Sequence, residues 1–275
     1  MSVAVVPVPT GRVEGYIMSC ADDLLAVEAP LEIRLYARSL SITMRTPGND
    51  FELVAGFLFS EGMIHSLADI RSMDRLSDGS PNIVVVRLDL ESEKPDRVQR
   101  NQRNFLMTSA CGVCGKASLQ DLEANACPIL APDAVEIKPE TIHQLPNRLR
   151  QSQSVFDSTG GLHAAALFNL GGEMESLRED IGRHNAVDKL IGAALLDHCI
   201  PMSHSLLLVS GRASFELVQK ALIAGIPVMA AVGAPSSLAV ATAEASGMTL
   251  IGFLRNGRFN VYTGNHRILG LEPVQ

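Results

Sequence analysis

The sequence has no tryptophan, and aromatic residues make up only 4% of its 275 positions. A core without large rings falls to Ala, Val, Leu, Ile and Met, which suits helices packed on a parallel sheet. Cysteine is scarce and odd in number: Cys20, Cys111, Cys114, Cys127 and Cys199. Five such residues do not make a disulfide framework, and an odd count without an export signal points to a reducing, cytoplasmic compartment. The stretch Met1–Pro7 has no basic residue followed by a long apolar run, so it does not read as a secretory leader. Positive charge is in deficit: the net charge is −7. A duplex-binding protein needs a basic surface to displace counterions from phosphates, so nucleic acid is not an expected partner, although a local basic pocket for a small anion remains open. No unbroken run suits a membrane. The uncharged stretch Ala221–Ala243 is cut by Gly225, Pro227, Gly233 and Pro235, and reads as helix end, buried strand, turn and helix start.

What is present is 47% hydrophobic residues with 19% charged, the composition of a compact globular chain. The length suits one large domain or two modest ones. The expected division is a smaller α+β domain over residues 1–135 and an α/β domain over 136–275. In the first, Leu31–Leu35 and Ser41–Arg45 alternate apolar with polar residues and read as a hairpin. A turn at Pro47-Gly48 leads to a helix over Phe51–Glu61, capped by Asn49 or Asp50 and stopped by Gly62. Asn82–Leu90 reads as a strand. Residues 91–104 hold one apolar residue and three arginines, Arg97, Arg100 and Arg103, and read as a solvent-facing linker. In the second, strands over Leu206–Val209, Ile226–Val232 and Met248–Leu254 alternate with helices over Ser214–Ala224 and Ser236–Ser246. Short connections of this kind predict parallel pairing with right-handed crossovers. Ligands in such sheets sit at the carboxyl ends of strands, here Ser210-Gly211-Arg212 and Gly233-Ala234-Pro235.

Several clusters carry candidate chemistry. Cys111-Gly112-Val113-Cys114 follows the polar linker. A zinc site needs four ligands, usually two such pairs, and Cys127 would supply only a third, so structural zinc or an iron–sulfur cluster is one alternative. A thioredoxin-like pair would follow a strand at a helix start, whereas this one is set among Gly112 and Gly115. The third reading is an exposed nucleophile that carries sulfur as a persulfide, its thiolate favoured by Lys116 and a helix beginning near Ser118. In Asp157–Ala165, Gly160-Gly161 before His163 at an expected helix start offers backbone N–H groups to an anion. His163 taken alone reads as a hydrogen-bonded core histidine. The run Arg178–Lys189 mixes charges of both signs around Gly182, with Asn185 as the expected cap of a helix over Leu190–Leu196. It suits a binding site or a solvated face. Phe259–Gly264 follows the turn Asn256-Gly257 and reads as a terminal strand.

Together these segments resemble the FdhD family, the formate dehydrogenase accessory sulfurtransferases. The resemblance is carried by Glu52–Gly62, Cys111–Lys116, Thr159–His163, Asp180–Lys189 and Ser210–Glu216, which span most of the chain in order. It implies a sulfur carrier that accepts persulfide sulfur from a cysteine desulfurase of the IscS type. The sulfur passes to the molybdenum (or tungsten) bis-molybdopterin guanine dinucleotide cofactor before its insertion into the formate dehydrogenase catalytic subunit. Cys111 is then the persulfide residue and Cys114 its helper, with no permanent metal. The family's guanine-dinucleotide segment is matched by Phe259, Asn260, Val261, Tyr262, Thr263 and Gly264, where GDP would substitute for the client. Arg183, His184 and Arg212 are candidates for phosphate or guanine contacts. The resemblance also implies a larger domain with the three-layer cytidine deaminase fold. Zinc deaminases use His-x-Glu and Pro-Cys-x-x-Cys, whereas the segment taken to correspond here, His163-Ala164-Ala165, lacks the glutamate, so deamination is not expected. The apolar content suits a homodimer. The rival functions are a non-catalytic cofactor-delivery protein and a protein whose cysteine pair holds a structural metal.

Overall fold

A computed structural model describes residues 4–76, 80–89, 127–131 and 135–271. Cys111, Cys114 and the linker over 91–104 lie outside the described residues. The strands are β1 (Val5–Glu14), β2 (Ile17–Ala26), β3 (Ala29–Leu35), β4 (Arg38–Arg45), β5 (Ile70–Arg75), β6 (Ile83–Leu88), β7 (His163–Asn169), β8 (Met174–Asp180), β9 (Ser205–Val209), β10 (Val228–Ala231), β11 (Thr249–Arg255) and β12 (Arg258–Thr263). The helices are α1 (Asp50–Ser60), α2 (Pro139–Ser152), α3 (Ser154–Thr159), α4 (Arg183–Leu196), α5 (Phe215–Ile223) and α6 (Ser237–Ala245). The class is mixed α/β, as expected.

A six-stranded sheet runs β12-β11-β10-β9-β7-β8, with β9, β10 and β11 parallel and the remaining pairs antiparallel. Its central strands are apolar on both faces because both faces are covered. Leu207, Val209, Met229, Ala231 and Leu250 pack under α4, α5 and α1. Leu206, Leu208, Val228, Ala230 and Ile251 alternate with them and pack under Ile142, Leu145 and Leu149 of α2. A second sheet, β4-β3-β6-β5, buries Leu31, Ile33, Val84 and Val86 against α1. Helix α1 is thus shared by both sheets. It crosses α4 so closely that a Cβ on Gly56 would stand 1.8 Å from the Asp188 carbonyl oxygen, and one on Gly192 1.8 Å from that of Glu52. The third sheet is the hairpin β1–β2, whose Val13, Tyr16, Ile17 and Met18 are exposed. Residues 5–26 carried no strand expectation, since their apolar residues follow neither period cleanly.

Three local expectations need correction. Asn49 sits at the N-cap of α1 in the left-handed region, φ 56°, and its side chain makes no cap bond. Asp50 is turned inward instead, where its carboxylate accepts from Arg45 at 2.9 and 3.1 Å and from Arg75 at 2.9 Å. His163 opens strand β7, not a helix. Asn185 does not cap a helix over Leu190–Leu196, because α4 already begins at Arg183. Its amide lies in the first turn and donates to the Met44 carbonyl and to Asp180. Among the described residues, no helix is long and apolar enough to cross a membrane.

Candidate functional site: a cationic edge of the six-stranded sheet

Parallel pairing brings the carboxyl ends of β9, β10 and β11 to one edge. The turns that leave β9 and β10 are tied together there. Gly233 N–H donates to the Gly211 carbonyl at 2.9 Å, Ser236 N–H to Ala213 at 3.0 Å, and Phe253 N–H to Gly233 at 3.0 Å. Two glycines permit this approach. A Cβ on Gly233 would meet Arg212 Cγ at 3.0 Å, and one on Gly252 would meet Pro235 Cδ at 2.8 Å and Tyr262 Cε2 at 2.9 Å. Antiparallel β8 ends at the same edge with Asp180, while β7 starts there with His163. Helices α5 and α6 follow β9 and β10, and α4 follows β8, so all three start at this edge. The first turns of α4 and α5 have no side-chain cap, so their N–H groups favour negative charge, whereas in α6 Ala239 N–H donates to Ser236 Oγ at 3.2 Å.

Beneath the edge, buried charged groups pair with one another, although Glu216 Oε1 is left without a hydrogen-bond partner. Asp180 is buried and accepts from Lys189 Nζ at 2.7 Å, Thr46 N–H at 3.1 Å, Gly182 N–H at 2.8 Å and Asn185 Nδ2 at 3.0 Å. Lys189 also donates to the Thr46 carbonyl at 2.8 Å. The first turn of α4 is thereby fixed to the turn between β4 and α1. Deeper still, Lys220 of α5 donates to both oxygens of Asp188 at 2.7 and 2.9 Å, and Ser60 donates to the same carboxylate at 3.0 Å. Burial alone would lower the Lys220 ammonium, but Asp188 and Glu61 outweigh it and hold its pKa above the ordinary value. His184 Nε2 lies 2.8 Å from Glu216 and 3.5 Å from Ser214 Oγ, which joins the first turns of α4 and α5.

Above this scaffold stand side chains with nothing to satisfy them. Among the described residues, Arg183, Arg212 and His163 make neither an ion pair nor a hydrogen bond. Arg183 is half-buried and Arg212 exposed. His163 is half-buried; burial first, and then the positive charges of Arg183 and His184, hold its pKa below the ordinary 6.5, with Asp180 pulling the other way. Unpaired guanidinium groups beside helix N-termini offer charge-assisted donors of the kind that suit phosphate or carboxylate.

The segment Phe259–Gly264 forms the edge strand β12 and is divided in use. Phe259 packs on the His143 ring at 4.9 Å between centroids and, with Val261, covers the α2 side of the sheet. Thr263 Oγ1 donates to the Met248 carbonyl at 2.7 Å, and the Gly264 carbonyl accepts from Thr249 at 2.7 Å. Asn260 and Tyr262 are left exposed, with Tyr262 against Gly252 and Pro235. The fold therefore lines up Arg183 and His184, the Gly211-Arg212 turn, Gly233 and Tyr262 along one edge. His163 was not among the candidate residues. The signal available for it was Gly160-Gly161 before it, but the pairing that puts the start of β7 at this edge was not readable from that motif. Among the described residues, no cluster of three His, Cys, Asp or Glu side chains is arranged to hold a metal ion.

Comparison with known proteins agrees across the chain. A 52% identical relative over 264 residues, covering 94% of this chain and 93% of its own, is the sulfur carrier protein FdhD of Streptomyces coelicolor. The protein of the same name from Sulfurisphaera tokodaii is 47% identical over 251 residues, 90% of this chain and 92% of its own. A solved structure described as a putative formate dehydrogenase accessory protein from Desulfotalea psychrophila superposes with a TM-score of 0.76 at 26% identity, covering 97% of this chain and all of that one. The model of the FdhD/NarQ family matches residues 26–269, starting where the β1–β2 hairpin ends and running through every element of the edge described above. Sequence and fold thus agree, and the chain belongs to the FdhD/NarQ family.

Proposed function

We propose that this protein is a cytoplasmic sulfurtransferase that carries persulfide sulfur on Cys111 to the molybdenum cofactor destined for formate dehydrogenase. The strand-end edge holds the cofactor's nucleotide while the sulfur is delivered. The observation that carries the reading is the set of unpaired cationic groups, Arg183 and Arg212, beside three helix starts, in a chain whose relatives are named sulfur carrier proteins. In the loading step, the Cys111 thiolate attacks the outer sulfur of a cysteine desulfurase persulfide, and the desulfurase thiolate leaves. Cys114 assists that exchange. The client is bis-molybdopterin guanine dinucleotide, written here as substrate, and no permanent metal is required. Its diphosphate fits the donors present: Arg183, Arg212 and first-turn N–H groups supply positive charge, while the Asp180 carboxylate is engaged by Lys189 and Glu216 Oε2 by His184. In this reading exposed Tyr262 and Asn260 meet the guanine, and GDP would occupy the same place. Delivery is to the formate dehydrogenase catalytic subunit. A homodimer is favoured by the exposed apolar tip of the β1–β2 hairpin, Val13, Tyr16, Ile17 and Met18.

The test is peptide mass spectrometry after incubation with a cysteine desulfurase and cysteine. The expected result is a single-sulfur adduct on the Cys111 peptide, removed by reductant and missing in Cys111→Ala. No adduct, with the desulfurase shown competent on another acceptor, would leave cofactor delivery without sulfur chemistry.

A further inference from the structure

We propose that His163 contacts the anionic end of the nucleotide directly and takes up one proton as that anion docks. The inference rests on reading this edge as a nucleotide site. His163 is the first residue of β7, so its ring stands at the edge where α4, α5 and α6 begin. Its neighbour across the sheet end is Gly211, where an added Cβ would lie 3.4 Å from Nδ1 and 3.6 Å from Cε1. With no side chain there, only the Gly211 backbone, next to the exposed Arg212, borders that flank of the half-buried imidazole. Among the described residues the ring makes no hydrogen bond, unlike the core histidine suggested by the sequence alone.

The charges that face it are Arg183 and His184 from the first turn of α4 and Asp180 from the end of β8. Asp180 is already held by Lys189, Thr46, Gly182 and Asn185, so it offers His163 no direct acceptor. In the free protein, burial first and then the positive charge of Arg183 disfavour the imidazolium. A phosphate beside Arg183 reverses that balance. Its negative charge stabilises the imidazolium, which then donates a charge-assisted bond to a phosphate oxygen. The proton comes from solvent and adds to the imidazole lone pair, so one proton is bound per nucleotide.

The experiment is calorimetric titration of GDP into the full-length protein at about pH 8, in buffers of different ionisation enthalpy. There a terminal phosphate, with its second pKa near 6, is already ionised and does not supply the effect. The expected result is an uptake approaching one proton, with affinity falling by up to about tenfold per unit rise in pH. His163→Gln would still bind GDP, more weakly, and both the uptake and the pH slope would vanish. If His163→Gln fails to fold, nitrogen-15 spectra of labelled histidine in the unaltered protein give the same answer, with one ring shifting to the imidazolium pattern on GDP addition. GDP binding without uptake, or uptake that persists in His163→Gln, overturns this inference alone. Absence of GDP binding to the unaltered protein overturns the nucleotide reading and this inference with it.

Discussion

Replacing Asp180 with alanine probes the scaffold that holds the first turn of α4 and, with it, Arg183 and His184. The carboxylate is fully buried and its partner Lys189 is 2% exposed. Removing one member of a buried pair costs roughly 3–5 kcal/mol, because the remaining charge has no counter-ion and no water. Thr46 N–H and Gly182 N–H also lose their acceptor, and a stranded buried donor costs on the order of 1–3 kcal/mol. These losses overlap in one network and are not simply summed. The expected total is about 5 kcal/mol, a large share of the 5–15 kcal/mol that separates a folded domain from its unfolded chain. The assay is urea denaturation, comparing midpoints at constant slope. Combining Asp180→Ala with Lys189→Met removes the uncompensated ammonium and should restore roughly 2 kcal/mol, while the unpaired N–H groups keep the double variant below the parent. A loss below about 1 kcal/mol for Asp180→Ala, or a double variant no more stable than the single, would refute the assignment of Asp180 and Lys189 as one buried pair.

Gly192→Ala should destabilise by about 3 kcal/mol or more in the same assay, since its Cβ would stand 1.8 Å from the Glu52 carbonyl and the two helices must part; unchanged stability would contradict the observed α1–α4 crossing. Burial pushes the Asp50 carboxyl up, but bonds from Arg45 and Arg75 outweigh it and hold its pKa below the ordinary 3.8. The folded chain therefore binds this proton less readily than the unfolded one. The stabilisation is present above about pH 4 and lost as pH falls through the lowered value, so Asp50→Asn should flatten the acid limb of a stability–pH curve below about pH 4. A limb of unchanged steepness would rule this out. Arg183→Gln should weaken GDP binding roughly 10- to 100-fold, the worth of a charge-assisted hydrogen bond. Arg87→Gln, which disturbs only exposed bonds to Asp74 and Ser72, should leave it unaltered; equal effects from the two would point to general charge, not to a site.

The amino-acid sequence alone determined the alternation of strands and helices after Leu206. Runs such as Leu206–Val209 are too short and too apolar for anything but covered strands, and glycine and proline mark their ends. It likewise determined the β3–β4 hairpin and the helix after Pro47-Gly48, because side-chain period and turn residues are local signals. The two cysteines and the motifs around Asp180 and Ser210 were legible as residue types in order. What tertiary structure decided is which of those residues meet. Asp180, Asp188 and Lys189 read as part of a charged run suited to a binding site or a solvated face, yet they are buried, because Thr46, Ser60 and Lys220 reach them from distant parts of the chain. His163 read as a core or helix-start residue. It became part of the candidate site only because antiparallel pairing with β8 and β9 sets the start of β7 at the ends of the parallel strands. Periodicity reports which face a residue takes, whereas long-range pairing sets which groups are left without a partner, and those unpaired groups make the site.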